Sequence, residues 1–233
     1  MSLLPKTGGR VLFVAPSAYP LGGVAEWLDY ILPGLNAAGW CCTLGLTKGT
    51  HHDVNAYLTR HPWVDTVSIF SPTGSEQGRI EALVAAIRRV GPQILAVVNI
   101  ASAYEAVRRL RLLGEPTPKL VTMLHGLQSD LLGDLQAERD VIDAVVAVNR
   151  LACALAESSL GSPDRVFYAP CGVAMSGLAL QQRVRTEDLV LSLMFCGRVE
   201  QEQKRVFDLP ELARCLVARG VSVLISIAGG GPD

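Results

Sequence analysis

Two cationic side chains follow the end of a strand-like run in the second half of the sequence. Arg198 comes shortly after the apolar run Leu189–Cys196, and Lys204 lies six positions further on. A guanidinium can bind a diphosphate through two parallel hydrogen bonds, and an ammonium adds a mobile point charge. This pair predicts a diphosphate-binding site, although two solvated loop charges would produce the same pattern.

One histidine stands at a comparable place in the first half. His125 follows the run Lys119–Leu124 and precedes Gly126. Ligands of open parallel sheets collect at the carboxyl ends of the strands, and an imidazole there can hydrogen-bond to a hydroxyl or a phosphate at neutral pH. His125 is therefore a candidate catalytic residue, with a purely structural histidine as the alternative.

Two adjacent glycines lie between the first strand and the helix that follows it. Gly22 and Gly23 would let the backbone approach a ligand closely, and the helix N-terminus offers free N–H groups. The dinucleotide motif G-x-G-x-x-G and the Walker A loop are both absent from this place. The glycines predict a loop that contacts a phosphate or an acceptor, unless tight packing alone requires them.

No residue pattern in the sequence favours a metal ion. His51, His52 and Asp53 are consecutive, so their side chains would point in different directions on one helix, and no third ligand lies at a suitable spacing. The six cysteines form no C-x-x-C pair, and no G-x-S-x-G motif occurs. We therefore expect no metal and no organic cofactor.

Short aliphatic runs alternate with longer helical patterns, which predicts βαβ units and a mainly parallel sheet. Hydrophobic residues make up 49% of the 233 residues and charged residues 18%, a composition that excludes disorder. The predicted strands of the first domain are Arg10–Ala15, Cys41–Leu46, Thr66–Phe70, Ile94–Asn99, Lys119–Leu124, Ala144–Val148 and Arg165–Tyr168. The helices predicted between them are approximately Val24–Ala38, His51–Arg60, Arg79–Val90, Ala103–Leu113 and Arg150–Ser159.

The pattern is interrupted once and then resumes. Residues 174–188 are polar without a convincing period and are interpreted as a linker. A strand, a loop, a helix at about Phe207–Arg219 and a strand at Val221–Ala228 follow. The fold class is therefore α/β, with a Rossmann-like parallel-sheet domain at 1–173 and the truncated start of a second at 189–233.

The charges exclude one class of partner and suggest another. The formal net charge is −1, so no overall basic field indicates a nucleic acid. Within the first domain, however, residues 79–119 hold seven basic side chains against three acidic ones, and residues 126–164 hold seven acidic against two basic. Solvated helix faces explain this unevenness, and a basic face that contacts anionic lipid or a charged acceptor is the alternative.

The hydrophobic pattern bears on location. The longest apolar runs fall far short of the ~20 residues that a membrane span needs, and no signal peptide opens the sequence. We expect a cytoplasmic protein, peripheral at the inner membrane face if the basic side chains contact lipid.

The order of short motifs along the whole chain resembles a known family. The segments are Thr122–Gly126 (TMLHG), Val146–Asn149 (VAVN), Tyr168–Val173 (YAPCGV), Phe195–Arg205 (FCGRVEQEQKR) and Ile227–Pro232 (IAGGGP). Together they resemble the "group 1", family 4 retaining glycosyltransferases of GT-B architecture. In that family an N-terminal Rossmann-like domain binds the acceptor, and a C-terminal one binds the nucleotide-sugar donor.

The resemblance implies a role for each candidate. Gly22 and Gly23 would lie beside the donor phosphate and the acceptor, and His125 near the transferred sugar. Arg198 and Lys204 would bind the diphosphate and stabilise the charge that grows on it as the sugar leaves, without a metal. The partners implied are a nucleotide-sugar donor and a sugar or lipid-linked acceptor.

The sequence departs from the family in three respects. Cys171 stands where Asn is frequent, and Asn149 where Ser is usual. The family's pair of glutamates eight residues apart would lie beyond Asp233. We therefore expect a fragment that is inactive alone. Because its second sheet has open edges and faces, we expect this segment to be poorly ordered or to dock on another chain, such as a second copy.

Two other functions share this architecture. Nucleotide-sugar 2-epimerases also use two facing Rossmann-like domains, although the acid and base carboxylates that they need cannot be assigned here. A non-catalytic domain that binds a carbohydrate or another acceptor is the second alternative.

Overall fold

We describe the protein from a computed structural model. The structure describes residues 8–15, 23–46, 54–98, 100–127, 129–172 and 190–232. The chain divides into two compact units, Met1–Val173 and Ala174–Asp233. The linker at 174–188 lies outside the described residues, so its predicted bounds and the predicted role of each domain stay predictions.

The first unit contains a seven-stranded parallel sheet in the order β3-β2-β1-β4-β5-β6-β7. The strands are β1 Arg10–Ala15, β2 Cys41–Leu46, β3 Asp65–Thr66, β4 Ile94–Val97, β5 Lys119–Leu124, β6 Ala144–Ala147 and β7 Val166–Tyr168. From β1 the chain first moves one way across the sheet, to β2 and β3, and then returns to build β4 to β7 on the other side. The strand order thus reverses between β1 and β4, and ligands of open α/β sheets bind at the carboxyl edge beside such a point.

Helices cover both faces of this sheet. They are α1 Gly23–Ala37, α2 Val54–Arg60, α3 Glu76–Val90, α4 Ser102–Leu112, α5 Ser129–Ala137 and α6 Arg150–Leu160. Because parallel crossovers are right-handed, the reversal of direction places α1 and α2 on one face and α3 to α6 on the other. Strand β1 shows both sides of this division, since Phe13 packs with the α1 cluster and Leu12 with the α3–α6 cluster.

Local sequence signals explain where two of the helices begin and end. Ser75 caps α3 by accepting a hydrogen bond from the backbone N–H of Gly78 at 3.1 Å, and Gly91 ends the helix at φ 56°. Asn149 caps α6 through the N–H of Ala152 at 2.8 Å, and Gly161 ends it at φ 63°. Asn is as good an N-cap as Ser, so the departure at Asn149 leaves this helix start intact.

The structure corrects three of the predicted elements. Helix α5 was not predicted. Strand β3 contains only Asp65–Thr66 instead of Thr66–Phe70. A short helix, Gln201–Lys204, interrupts the segment that we interpreted as a loop. Each error concerns a short element, for which periodicity is a weak signal.

Carboxylates pair with most of the basic side chains that the sequence concentrates in residues 79–119. Arg108 contacts Glu138, and Asp143 accepts hydrogen bonds from Arg111 at 3.0 Å and from Lys119 at 2.9 Å. These pairs join α4 and β5 to residues in or after α5. The basic and acidic stretches are therefore largely complementary parts of one surface.

The remaining pairs include Arg88 with Glu115 at 2.6 Å and, more loosely, Arg109 with Glu81 at 3.9 Å. Contact with anionic lipid stays a prediction, but the basic face on which it rested is mostly paired. Among the described helices, none is both long and apolar enough to cross a membrane.

The described part of the second unit, residues 190–232, contains two parallel strands and two helices. Strands β8 Val190–Cys196 and β9 Ser222–Ala228 pair along their whole length, with α7 Gln201–Lys204 and α8 Asp208–Ala218 between them. Large apolar side chains on both strands are exposed, among them Val190, Leu191, Met194, Leu224 and Ile227. The predicted self-association through this unit is consistent with these exposed side chains and stays a prediction.

Helix α5 offers a test of the corrected fold. Leu135 is fully buried against the α3–α6 cluster, so Leu135→Ala should lower the free energy of unfolding by about 2–5 kcal/mol. Gln136→Ala, at an exposed position of the same helix, should change it by less than about 0.5 kcal/mol. Urea unfolding of both variants measures the difference, and equal stabilities would contradict the docking of α5.

Candidate functional site

At the carboxyl edge of the first unit, His125 lies between Trp27 and Cys171. The residue directly follows β5, at the end of a central strand. The ring of Trp27, in the second turn of α1, meets the imidazole edge to face with 4.8 Å between centroids. On another side, the Sγ atom of Cys171 lies 4.0 Å from Nδ1. The ring is thus held by α1, β5 and the loop after β7.

The other ring nitrogen of His125 has no such neighbour. Among the described residues, Nε2 is buried and finds no hydrogen-bond partner. A buried polar atom without a partner costs about 1–3 kcal/mol. Such an atom is expected where a ligand supplies the missing partner.

Burial sets the protonation of this pair. Desolvation lowers the pKa of His125 below its ordinary value, so the imidazole is neutral at pH 7. Desolvation also raises the pKa of Cys171, so its thiol keeps its proton. The site therefore holds a neutral imidazole beside a neutral thiol, which suits hydrogen bonding rather than nucleophilic attack by sulfur.

Gly23 is the first residue of α1. A Cβ atom added to Gly23 would meet no described residue within 4 Å. Gly22 lies outside the described residues, and its predicted contact stays a prediction.

A largely apolar cavity of about 440 Å³ adjoins this edge. Trp27 both lines the cavity and contacts His125, and Phe13 in turn contacts Trp27 with 5.9 Å between ring centroids. The cavity runs along β1, β4, β5 and β6 on the α1 face of the sheet. Sequence reasoning missed Trp27, although its position one turn after the glycine pair could have indicated it.

In the second unit, the loops that follow β8 and β9 lie against each other. The N–H of Gly197 donates to the carbonyl of Ala228, and the N–H of Val199 to that of Gly230, both at 3.0 Å. A Cβ atom on Gly229 would overlap the carbonyl of Gly197, and one on Gly231 that of Val199. The close approach of two backbones therefore requires glycine at Gly229 and Gly231.

Arg198 and Lys204 both follow β8 within this unit. The half-buried guanidinium of Arg198 contacts the carboxylate of Glu200. Lys204 ends α7 and is exposed, and no ion pair is found for it among the described residues. The neighbouring Arg205 forms an ion pair with Asp208, with 2.7 Å between nitrogen and oxygen, and is not among the candidate site residues. Glu200 was missed, although it lies two positions from Arg198 in the same motif.

The candidates thus form two groups, one in each unit. His125 and Gly23 belong to the carboxyl side of the first sheet, and Arg198 and Lys204 to the segment after β8. His51, His52 and Asp53 lie outside the described residues. Within the part of the chain that is described, no three His, Cys, Asp or Glu side chains are grouped closely enough to hold a metal ion.

Comparison with known proteins finds similar structures but no similar sequence. No protein-family model matches the sequence, and neither does any curated protein. HepE of Anabaena in complex with UDP-glucose superposes with a TM-score of 0.58 and 15% identity, over 94% of this chain and 68% of that one. The lipopolysaccharide outer core galactosyltransferase WaaB gives a TM-score of 0.64 and 16% identity, over 96% of this chain and 62% of that one.

Epimerases are also similar, and a Listeria monocytogenes protein assigned as a UDP-N-acetylglucosamine 2-epimerase gives a TM-score of 0.54 and 11% identity, over 95% of this chain and 62% of that one. The UDP-GlcNAc 2-epimerase of Neisseria meningitidis bound to UDP-GlcNAc gives a TM-score of 0.51 and 14% identity, over 68% of this chain and 46% of that one. This chain thus spans roughly two-thirds of the length of the matched glycosyltransferases. The likeness confirms the predicted fold class, a Rossmann-like α/β fold of the kind found in GT-B glycosyltransferases.

The lowered pKa of His125 predicts a dependence of stability on pH. The folded protein holds the imidazole neutral, whereas the unfolded chain protonates it below about pH 6.5. The unfolded state then binds more protons, so stability falls as the pH drops from about 6.5 through the folded-state pKa. His125→Gln should weaken this loss between about pH 7.5 and about pH 5.5. Urea unfolding at both pH values measures it, and an unchanged loss in the variant would contradict a buried neutral His125.

Proposed function

We propose that this chain belongs to a glycosyltransferase that transfers a sugar from a nucleotide-sugar donor to an acceptor. The observation that carries the proposal is the superposition of nearly the whole chain on HepE in complex with UDP-glucose. The motif order from Thr122 to Pro232 supports it independently, because the similarity to solved structures does not rest on those motifs. The finer assignment, to the retaining enzymes of family 4, rests on the motifs alone.

The proposed chemistry assigns the departing diphosphate to the second unit. As the sugar leaves, negative charge grows on the leaving phosphate, and fixed cationic donors stabilise that charge. Arg198 is suited to this task because Glu200 orients its guanidinium. The exposed ammonium of Lys204 can move to a phosphate oxygen without leaving a carboxylate partner in the described structure. This chemistry needs no metal ion.

The first unit would bind the acceptor and the transferred sugar. His125 would hydrogen-bond to an oxygen of the ligand, and Gly23, at the start of α1, would admit it to the N–H groups of the helix. Because the imidazole is neutral, His125 acts as a polar contact rather than as a fixed positive charge. No carboxylate is assigned as a nucleophile for a retaining route.

A nucleotide-sugar 2-epimerase is the alternative enzyme, favoured by the likeness to the Neisseria protein. The Listeria protein covers 95% of this chain, as much as HepE, so the preference for a transferase rests on the higher TM-scores of the transferases, 0.58 and 0.64 against 0.54, and on the motif order. The products separate the two functions. Mass spectrometry and NMR after incubation with UDP-, GDP- and ADP-sugars would detect a glycoside for the transferase and a C2 epimer for the epimerase.

The proposed activity also bears on the location of the protein and on its partners. A cytoplasmic location, a sugar or lipid-linked acceptor and peripheral contact with a membrane are consistent with the proposed activity. Since the chain spans about two-thirds of the matched enzymes, we expect the 233 residues alone to show little transfer. Turnover comparable to that of complete enzymes would contradict this expectation.

The diphosphate site can be tested through binding of UDP. Arg198→Ala and Lys204→Ala should each lower the association constant, because a charge-assisted hydrogen bond contributes about 1.5–3 kcal/mol and each 1.4 kcal/mol is about tenfold. Titration of UDP followed by NMR chemical shifts measures weak binding as well as tight binding.

Arg205→Ala is the matched control, since Arg205 lies beside Lys204 and pairs with Asp208. It should bind UDP as the unchanged chain does. UDP binding that is equal in all four proteins would contradict the assignment of Arg198 and Lys204.

A further inference from the structure

The pairing of His125 with Cys171 has a consequence for which ring nitrogen carries the proton. A neutral imidazole has one N–H and one bare nitrogen, and the hydrogen bond at one nitrogen decides the state of the other. Here the Sγ atom of Cys171 lies at the long end of hydrogen-bond distance from Nδ1, 4.0 Å away. Trp27 contacts the same ring and restricts its rotation.

We propose that Cys171 is a positioning residue that donates its S–H to Nδ1 of His125, so that Nε2 carries the imidazole proton. A basic ring nitrogen is a stronger acceptor than a thiol sulfur, which accepts only weakly. The S–H···N arrangement is therefore preferred over N–H···S between these two atoms. The raised pKa of Cys171 supports it, because the thiol keeps the proton that it donates.

The assignment specifies what the site recognises. Nε2 is the buried nitrogen without a partner in the described structure. With the proton on Nε2, this atom is a donor, so the group that satisfies it must be an acceptor such as a hydroxyl or phosphate oxygen. In terms of the proposed transferase, on which this part rests, His125 donates to an oxygen of the sugar or the acceptor. Cys171 acts through His125 and does not itself contact the ligand.

The tautomer can be read directly by NMR without any ligand. Long-range ¹H–¹⁵N correlation of protein labelled with ¹⁵N-histidine distinguishes Nδ1–H from Nε2–H for each imidazole. The chain has four histidines, and the signal missing in His125→Gln identifies the relevant one. We expect the Nε2–H form in the unchanged protein above the pKa of His125, and a predominant Nδ1–H form would overturn the proposal.

Two substitutions at Cys171 test the role of the thiol proton. Cys171→Met keeps a sulfur that can only accept, so it should increase the Nδ1–H population of His125. Cys171→Ser keeps a donor and should retain the Nε2–H form. Because Cys171 is exposed, both side chains can be accommodated, and unchanged thermal unfolding would confirm that each variant folds. An Nδ1–H population that is the same in Cys171→Met as in the unchanged protein would overturn the proposal.

The pKa of His125 supplies a second readout. A donor to Nδ1 stabilises the neutral ring and is lost when the ring is protonated, so Cys171→Met should raise the pKa of His125, and Cys171→Ser should restore it. A pKa that does not respond to Cys171→Met would also count against the hydrogen bond. Neither readout requires UDP binding or turnover, so this inference and the proposed function can fail separately.

Discussion

The reversal of direction between β1 and β4 is the constraint on which the first unit depends. A parallel strand must be followed by a right-handed crossover, so the change of direction puts α1 and α2 on one face and α3 to α6 on the other. Helix α1 packs on the face of the sheet where β1, β4, β5 and β6 line the cavity. This placement brings Trp27 of α1 into contact with His125 at the end of β5.

On the face of the sheet that α3 to α6 cover, ion pairs connect elements that are distant in sequence. Arg108 and Arg111 of α4 reach the carboxylates of Glu138 and Asp143, which lie about 30 residues later in the sequence. Each exposed pair contributes little by itself. Asp143, however, also accepts a hydrogen bond from the N–H of Leu120 at 2.9 Å, and so connects α4, β5 and β6 at one point. Segregated charge in the sequence therefore reflects complementary neighbours in the fold.

The strength of the apolar pattern explains both the elements that sequence reasoning predicted and the helix that it missed. β1, β2 and β5 have the predicted bounds, because long buried strands are continuous apolar runs between turn residues. Helix α5 buries mainly Leu135 and leaves hardly any periodic pattern. The glycines after β9 were recognisable as a loop, but their overlap with Gly197 and Val199 depends on a backbone that is distant in sequence. The same holds for Cys171, which approaches His125 from 46 positions away.

The surroundings of His125 violate the usual rule that buried polar atoms have partners. Trp27 and Cys171 hold the imidazole, and desolvation keeps it neutral, yet Nε2 lacks a partner in the described structure. A structural histidine would be expected to satisfy both nitrogens, because leaving one unpartnered costs about 1–3 kcal/mol. Natural proteins accept such local costs mainly at functional sites. The unsatisfied nitrogen is therefore a stronger argument for a ligand at His125 than its position after β5, since a strand end alone is equally suited to a structural residue.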